Sequence, residues 1–145
     1  MMVETPQSVA LDAAAIDRLR SGELTDPHTL LGPHLATEAD RSGIVVRAWH
    51  PDAVTAEFVP ARGNAHAMQR GEDGLFTVFL AGRKQVQRYR IAYRFDDGQE
   101  WEVEDPYRFA STLADADLRQ FGEGNHAELW EVLGAHPCTV GSVAG

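Results

Sequence analysis

The sequence predicts an all-β fold, an antiparallel β-sandwich flanked by short helices at both ends. From Gly43 to Glu104 apolar residues recur with a period of two, which puts alternate side chains on opposite faces of pleated strands. The runs are short and divided by Pro-Asp, Arg-Gly-Asn, Glu-Asp-Gly and Asp-Asp-Gly turns. No helical stretch separates them, and parallel neighbours would need long crossovers.

Taken in order, the first element is a short helix. Asp12 can accept hydrogen bonds from the free amides of a first turn, Ala13 to Arg20 are good helix formers, and Gly22 can close the end in left-handed geometry. Ile16 and Leu19 make a narrow apolar stripe. The helix therefore either packs peripherally or belongs to a mobile N-terminus spanning residues 1–25. A second turn has Asp26 as cap, Pro27 at its first position and Gly32 as terminator after Leu30 and Leu31.

Six strand candidates follow: GIVVRAW, VTAEFV, HAMQR, GLFTVFL, QRYRIAYRF and QEWEVE. The last two form a hairpin whose register can be derived. Tyr89, Ile91, Tyr93 and Phe95 share one face of the incoming strand, and Trp101 and Val103 one face of the outgoing strand. A two-residue loop at Asp97-Gly98 would pair Arg94 with Trp101 and mix the faces. A three-residue loop Asp96-Asp97-Gly98, with Gly98 as a left-handed bulge, pairs Tyr93 with Trp101 and Ile91 with Val103. Arg94 then faces Glu100, and Arg90 faces Glu104, on the opposite side. After Asp105-Pro106 two short helices are expected, one ending near Gly122 and one from an Asn125 cap to Gly134. The expected division is an N-terminal helix in 1–25, a sandwich in 26–110, and a helical linker with the start of a second sandwich in 111–145.

Composition excludes several classes of function. The chain has 145 residues, with 13 Lys+Arg against 22 Asp+Glu and a net charge of −9. A (β/α)₈ barrel needs about 250 residues. The negative balance argues against nucleic acid or an anionic membrane as partner. No apolar run nears the ~20 residues of a membrane span, and MMVETPQSVALD lacks a basic and apolar leader. A single cysteine, Cys138, rules out an internal disulfide and favours a reducing, cytoplasmic compartment.

The chain also repeats itself. LLGPH at 30–34 and VLGAH at 132–136 each follow a helical turn closed by glycine, and Gly43 and Gly145 each lie eleven residues after that glycine. Gly43 opens a strand, so a second sandwich is expected to start at Gly145, making the chain one module plus the entry of the next.

Motifs for catalysis are absent. Asp96, Asp97, Glu100, Glu102, Glu104 and Asp105 concentrate carboxylates, which could raise a pKa for general-acid work. Their alternation opposite Arg90 and Arg94 reads instead as a solvated strand face. His28, His34, His50, His66, His126 and His136 have no zinc-type spacing; His34 and His136, each after an LG-x turn, suggest packing or backbone hydrogen-bonding roles. Gly71-Glu72-Asp73-Gly74 is a turn, not a phosphate loop. No cofactor and no metal site is expected.

DPHTLLGPH, VRAWHPDA, GLFTVFL, YRIAYRF and, most specifically, DPYRFASTLADADLRQFGEGNHAELWEVLGAHP resemble the N-terminal region of bacterial glycogen (1,4-α-glucan) branching enzymes, from about Asp26 to His136. The resemblance implies one or two immunoglobulin-like sandwiches, the second classed with carbohydrate-binding modules, ahead of an α-amylase-type barrel and a C-terminal β domain. It implies a parent that cuts an α-1,4-glucan and transfers the segment to a 6-hydroxyl through a covalent intermediate, using carboxyl groups about 5–5.5 Å apart. None of those carboxyl groups maps onto this chain, so the expected role is a non-catalytic module that contacts glycogen or maltooligosaccharide and influences chain length. Its other expected partners are the parent's downstream domains; the alternative is a scaffold that never touches sugar. Flat sugar C–H faces stack on aromatic rings, and Trp49, Trp101, Tyr107 and Trp130 are the candidate platforms. Trp49 and Trp101 lie on alternating strand faces that favour the core.

Overall fold

The computed structural model describes residues 7–140 and 142–145. The first six residues of the N-terminal segment lie outside the described residues. The chain divides into two units, one ending at Phe109 and one beginning at Ala110.

The first unit is built on β3 (Arg41–Trp49), whose even and odd residues face different layers. Ile44, Val46 and Ala48 point inward with Phe76 and Leu80 of β7 (Leu75–Ala81). They meet Ala56 and Phe58 of β4 (Thr55–Pro60) and Tyr89, Ile91 and Tyr93 of β8 (Tyr89–Arg94). Phe76, Tyr89, Ile91 and Val46 are at most 1% exposed, each such side chain contributing about 1.5–3 kcal/mol by leaving water. This is the inter-sheet core of an all-β sandwich.

One sheet has the order β1-β2-β3-β7-β6 and the other β5-β4-β8-β9, where β1 is Gln7–Ser8, β2 Gly32–Glu38, β5 His66–Ala67, β6 Gln69–Arg70 and β9 Glu100–Glu104. All pairs are antiparallel except β1 with β2, which run parallel because the N-terminal segment lies along the sheet edge. The run expected as one strand, HAMQR, splits. His66–Ala67 pairs with β4, Gln69–Arg70 pairs with β7, and the buried Met68 between them crosses from one sheet to the other.

Strand β2 was not among the expected strands. It begins with Gly32-Pro33 and ends in a two-residue turn at Ala39 (φ 46°) and Asp40 (φ 62°), which carries none of the usual turn residues at its first position. Pro33 lies on a stretch that β1, paired only at Ala36 and Thr37, does not reach.

The odd residues of β3 face a second layer. Helix α1 (Ala13–Ser21) has Asp12 as its cap, accepting from Ala15 N at 2.6 Å, and Gly22 in left-handed geometry at φ 77°. A 3₁₀ turn, Pro27–Thr29, is capped by Asp26. Ala15, Leu19, Leu30 and Leu31 close over Leu75, with Trp49 and Tyr107 at the margin. Arg47, wholly buried under this layer, donates to Gln7 Oε1 at 2.9 Å, to Leu30 O at 3.3 Å and to the carbonyls of Ser8 and Val9.

In the second unit, α2 (Asp115–Gly122) forms as expected. The helix expected from Asn125 to Gly134 is only a 3₁₀ turn, Leu129–Glu131. Asn125 does not cap it. The Asn125 amide instead donates to Glu123 Oε2, and His126 Nδ1 accepts from Glu128 N at 3.3 Å, which holds 125–128 in a turn. Strands β10 (Thr139–Val140) and β11 (Val143–Ala144) pair antiparallel.

Candidate functional site

The β8–β9 hairpin has the register derived from its faces. Tyr93 pairs with Trp101, Ile91 with Val103, Arg94 with Glu100 and Arg90 with Glu104. The loop is Asp96-Asp97-Gly98, closed by Gly98 N donating to Phe95 O at 3.1 Å and Phe95 N donating to Gln99 O at 3.0 Å. Gly98 has φ 82°, a conformation glycine adopts without Cβ strain.

The faces were read correctly, but the burial of Trp101 was not. Trp101 is 53% exposed and Val103 38%. Strand β9 is the outermost strand of its sheet, and no β9 residue belongs to the inter-sheet core. An edge strand's inward row is covered only as far as the opposite sheet extends, and alternation cannot reveal that extent.

Around Trp101 the chain gathers rings from distant positions. Phe95 lies 4.9 Å from it, and His50, at the end of β3, lies 5.0 Å from Phe95, 5.0 Å from Tyr93 and 6.5 Å from Trp101. His50 Nδ1 is buried with no hydrogen-bond partner among the described residues. The result is an indole with solvent on one side and a ring-packed backing on the other. Such a surface can stack on the C–H face of a flat, uncharged ligand, because the indole carries both apolar area and a donor. His50 and Phe95 were not among the sequence candidates, and no local pattern could have joined positions 50, 95 and 101.

The other sequence candidates differ. Trp49 is half-buried beside the α1 layer, not in the inter-sheet core, and its Nε1 donates to Asp73 O at 2.9 Å. Tyr107 is half-buried in the same cluster and meets His28 edge-on at 5.1 Å. These two rings share a cluster with each other but not with Trp101. Trp130 belongs to the second unit and is 67% exposed.

On the other face of the hairpin the carboxylates pair with arginines. Glu104 accepts from Arg90 Nε at 3.1 Å and Arg108 Nη2 at 2.9 Å and is also bound by Arg88, while Arg90 reaches Glu102 at 3.0 Å. Hydrogen bonds from Arg88 and Arg90 hold the Glu104 carboxyl down at about 2, the reverse of what a general acid needs at neutral pH. Asp105 differs from its neighbours because it is buried. Its Oδ2 accepts from the Tyr89 hydroxyl at 2.6 Å and its Oδ1 from Tyr107 N at 2.9 Å. Burial, with this bond and the carboxylate's charge, raises the Tyr89 hydroxyl pKa. Among the described residues no group of three or more His, Cys, Asp or Glu could hold a metal ion, and no helix is long and apolar enough to cross a membrane.

Comparison with known proteins places the chain in a family. A family model described as the N-terminal domain of alpha-1,4-glucan branching enzyme GlgB matches residues 12–107. The 1,4-alpha-glucan branching enzyme GlgB of Mycolicibacterium paratuberculosis is 42% identical over 129 residues, 89% of this chain and 17% of that protein. That of Thermobifida fusca is 40% identical over 132 residues, 91% of this chain and 17% of the relative. GlgB 1 of Streptomyces coelicolor is 39% identical over 142 residues, 98% of this chain and again 17% of the relative. The chain thus spans about a sixth of the length of these relatives.

Proposed function

The chain belongs to the family of GlgB branching-enzyme N-terminal domains, and from that premise we propose that it is the non-catalytic N-terminal module of a cytoplasmic glycogen branching enzyme. It gives the parent an accessory contact for α-glucan and so influences which chain lengths are transferred. Residues 26–110 are the sandwich module, and 111–145 lead into a second one. The parent's barrel carries the cutting and transfer of α-1,4 segments, and the module itself holds no catalytic carboxyl pair.

The observation that carries the reading is the exposed, ring-backed indole of Trp101. A glucan chain presents repeated flat C–H faces with hydroxyl edges, which an indole accepts by stacking without a charged partner. Trp49 and Tyr107 are weaker platforms, since their rings are half-buried and engaged. Trp130 is exposed but lies on the second unit.

Affinity electrophoresis of the 145-residue chain through a glycogen-containing gel tests this. Retardation lost in Trp101→Ala, with the circular dichroism spectrum unchanged, is the expected result. Unaltered migration of the unsubstituted chain would leave the scaffold role as the function of this face. Incubation with amylose is expected to give no new branch points.

A further inference from the structure

We infer that residues 113–136 are the outer helical layer of a second β-sandwich, and that the apolar hollow among Leu113, Leu118, Phe121, Leu129, Val132 and Leu133 seats a side chain from that sandwich's outer sheet. This rests on the reading of the chain as the opening part of a longer enzyme. It goes further by assigning the helical segment a packing partner instead of a linker role.

The repeat seen in sequence as five residues extends much further in space. In the first unit α1 is followed by left-handed Gly22 (φ 77°), the 3₁₀ turn Pro27–Thr29, Leu31 N bonded to Pro27 O at 2.8 Å, and Gly32 at φ 81°. In the second, α2 is followed by Gly124 (φ 70°), the 3₁₀ turn Leu129–Glu131, Leu133 N bonded to Leu129 O at 2.8 Å, and Gly134 at φ 94°. His34 Nε2 meets Leu31 O at 2.9 Å, and His136 Nε2 meets Leu133 O at 2.9 Å. The hairpin that comes next also returns in register. Glu38 pairs with Arg41 and Thr37 with Ser42 in the first unit, and Val140 with Val143 and Thr139 with Ala144 in the second.

The same constant spacing turns Leu11, Ile16, Leu19, Leu30 and Leu31 into Leu113, Leu118, Phe121, Val132 and Leu133. In the first unit those positions close over Leu75 of β7, with Trp49 of β3 beside it. In the second unit they line an apolar hollow of about 150 Å³, a volume that in other proteins admits a benzene-sized group. The one charged group at its wall, Asp117, is already engaged by His126 Nε2 at 3.0 Å and Ala114 N at 3.0 Å. None of the described residues of this unit is buried. An eight-residue helix without a buried face is not stable in water by itself, so the unit needs an external apolar surface.

The surface that fits is the outer face of a sheet like β3–β7, with an aliphatic residue where the first sandwich has Leu75. A second copy of this chain is a poor occupant, because its own face of that kind is covered by its own α1 layer. The relatives extend far beyond the matched 17%, so the chain that follows can supply the sheet. Trp130 then takes the position of His28, which packs on Tyr107, and becomes a packing residue instead of a sugar platform.

Amide hydrogen exchange tests the proposal, on the 145-residue chain and on a hybrid in which it replaces the matching part of the Thermobifida fusca relative. At a concentration where sedimentation finds the 145-residue chain monomeric, amides of residues 119–122 and Leu133 should exchange within about tenfold of unstructured rates, and in the hybrid at least about 100-fold more slowly. Phe121→Asp in the hybrid should abolish that protection while β3 and β7 amides keep theirs. Full protection in the monomeric 145-residue chain would overturn the proposal, since its own sandwich would fill the hollow. Protection that rises with concentration alongside dimerisation would overturn it in favour of a second copy, and this arm needs no hybrid. Protection in the hybrid together with unaltered migration in glycogen gels would sink the glucan reading alone.

Discussion

Replacing Tyr89 with Phe removes one oxygen from a buried side-chain pair of the sandwich and leaves the ring in place. The Tyr89 hydroxyl donates to Asp105 Oδ2 at 2.6 Å, and both residues are at most 4% exposed. Asp105 has one further bond, from Tyr107 N to its other oxygen, so Tyr89→Phe leaves a buried carboxylate oxygen without a donor. A hydrogen bond to a charged group contributes about 1.5–3 kcal/mol. For a domain of this size each kcal/mol moves Tm by about 4–8 °C, so the expected loss is roughly 6–24 °C. Arg94→Ala on the same hairpin breaks an ion pair with Glu100 in which both side chains are 62% exposed, and should cost under about 1 kcal/mol. Guanidinium-chloride unfolding of the 145-residue chain, followed by circular dichroism, measures both. A loss below about 0.5 kcal/mol in Tyr89→Phe, within the range of an ordinary surface change, would refute the claim that this bond ties β8 to the turn at Pro106–Arg108.

Two glycines with nearly equal φ should respond very differently to alanine. A Cβ on Gly32 (φ 81°) would lie 2.5 Å from the Tyr107 carbonyl oxygen, whereas one on Gly98 (φ 82°) would meet nothing within 4 Å. Gly98→Ala should cost only the left-handed penalty, about 1–2 kcal/mol, and Gly32→Ala clearly more; equal denaturation midpoints would disprove the contact. For pH, Glu104 titrates lower in the folded state, at about 2, than when unfolded. Its contribution is therefore complete above about pH 4.5 and is lost as pH falls towards about 2. Glu104→Gln should flatten the fall of the urea midpoint across that window, and an unchanged slope would show that the arginine ladder does not bind the carboxylate.

What the sequence made legible were features whose cause is local. Asp12, Gly22 and Asp26 act through neighbouring amides, and the β8–β9 register followed because Tyr93, Ile91, Trp101 and Val103 must share a face. What it concealed depended on contacts between distant residues. Strand β2 went unseen because its turn is Ala39-Asp40 and Pro33 interrupts its pattern. HAMQR read as one strand because nothing local says that Met68 changes sheets. Trp101 looked like a core residue because alternation assigns a face without saying whether another sheet covers it.

Arg47 shows why the outer layer, too, could not be read from the strand that carries it. Within GIVVRAW it looks like the polar, outward member of an alternating strand, and by direction it is. Yet its guanidinium is fully buried, and desolvation lowers its pKa to about 10. Among the described residues its hydrogen bonds go to no carboxylate, only to the oxygens of Gln7, Ser8, Val9 and Leu30. A buried guanidinium is costly unless its N–H groups find acceptors, so the charge and the covering segment depend on each other: the segment supplies four oxygens to Nη1 and Nη2, while Nε has no hydrogen-bond partner among the described residues. In the second unit the described residues repeat β3 only at its first two positions, Val143 and Ala144 of β11 standing where Arg41 and Ser42 stand in the first, and none of them is buried. That asymmetry matches the difference between the two helices, one partly buried and the other exposed, although both are followed by left-handed glycines and the same histidine-to-leucine contact.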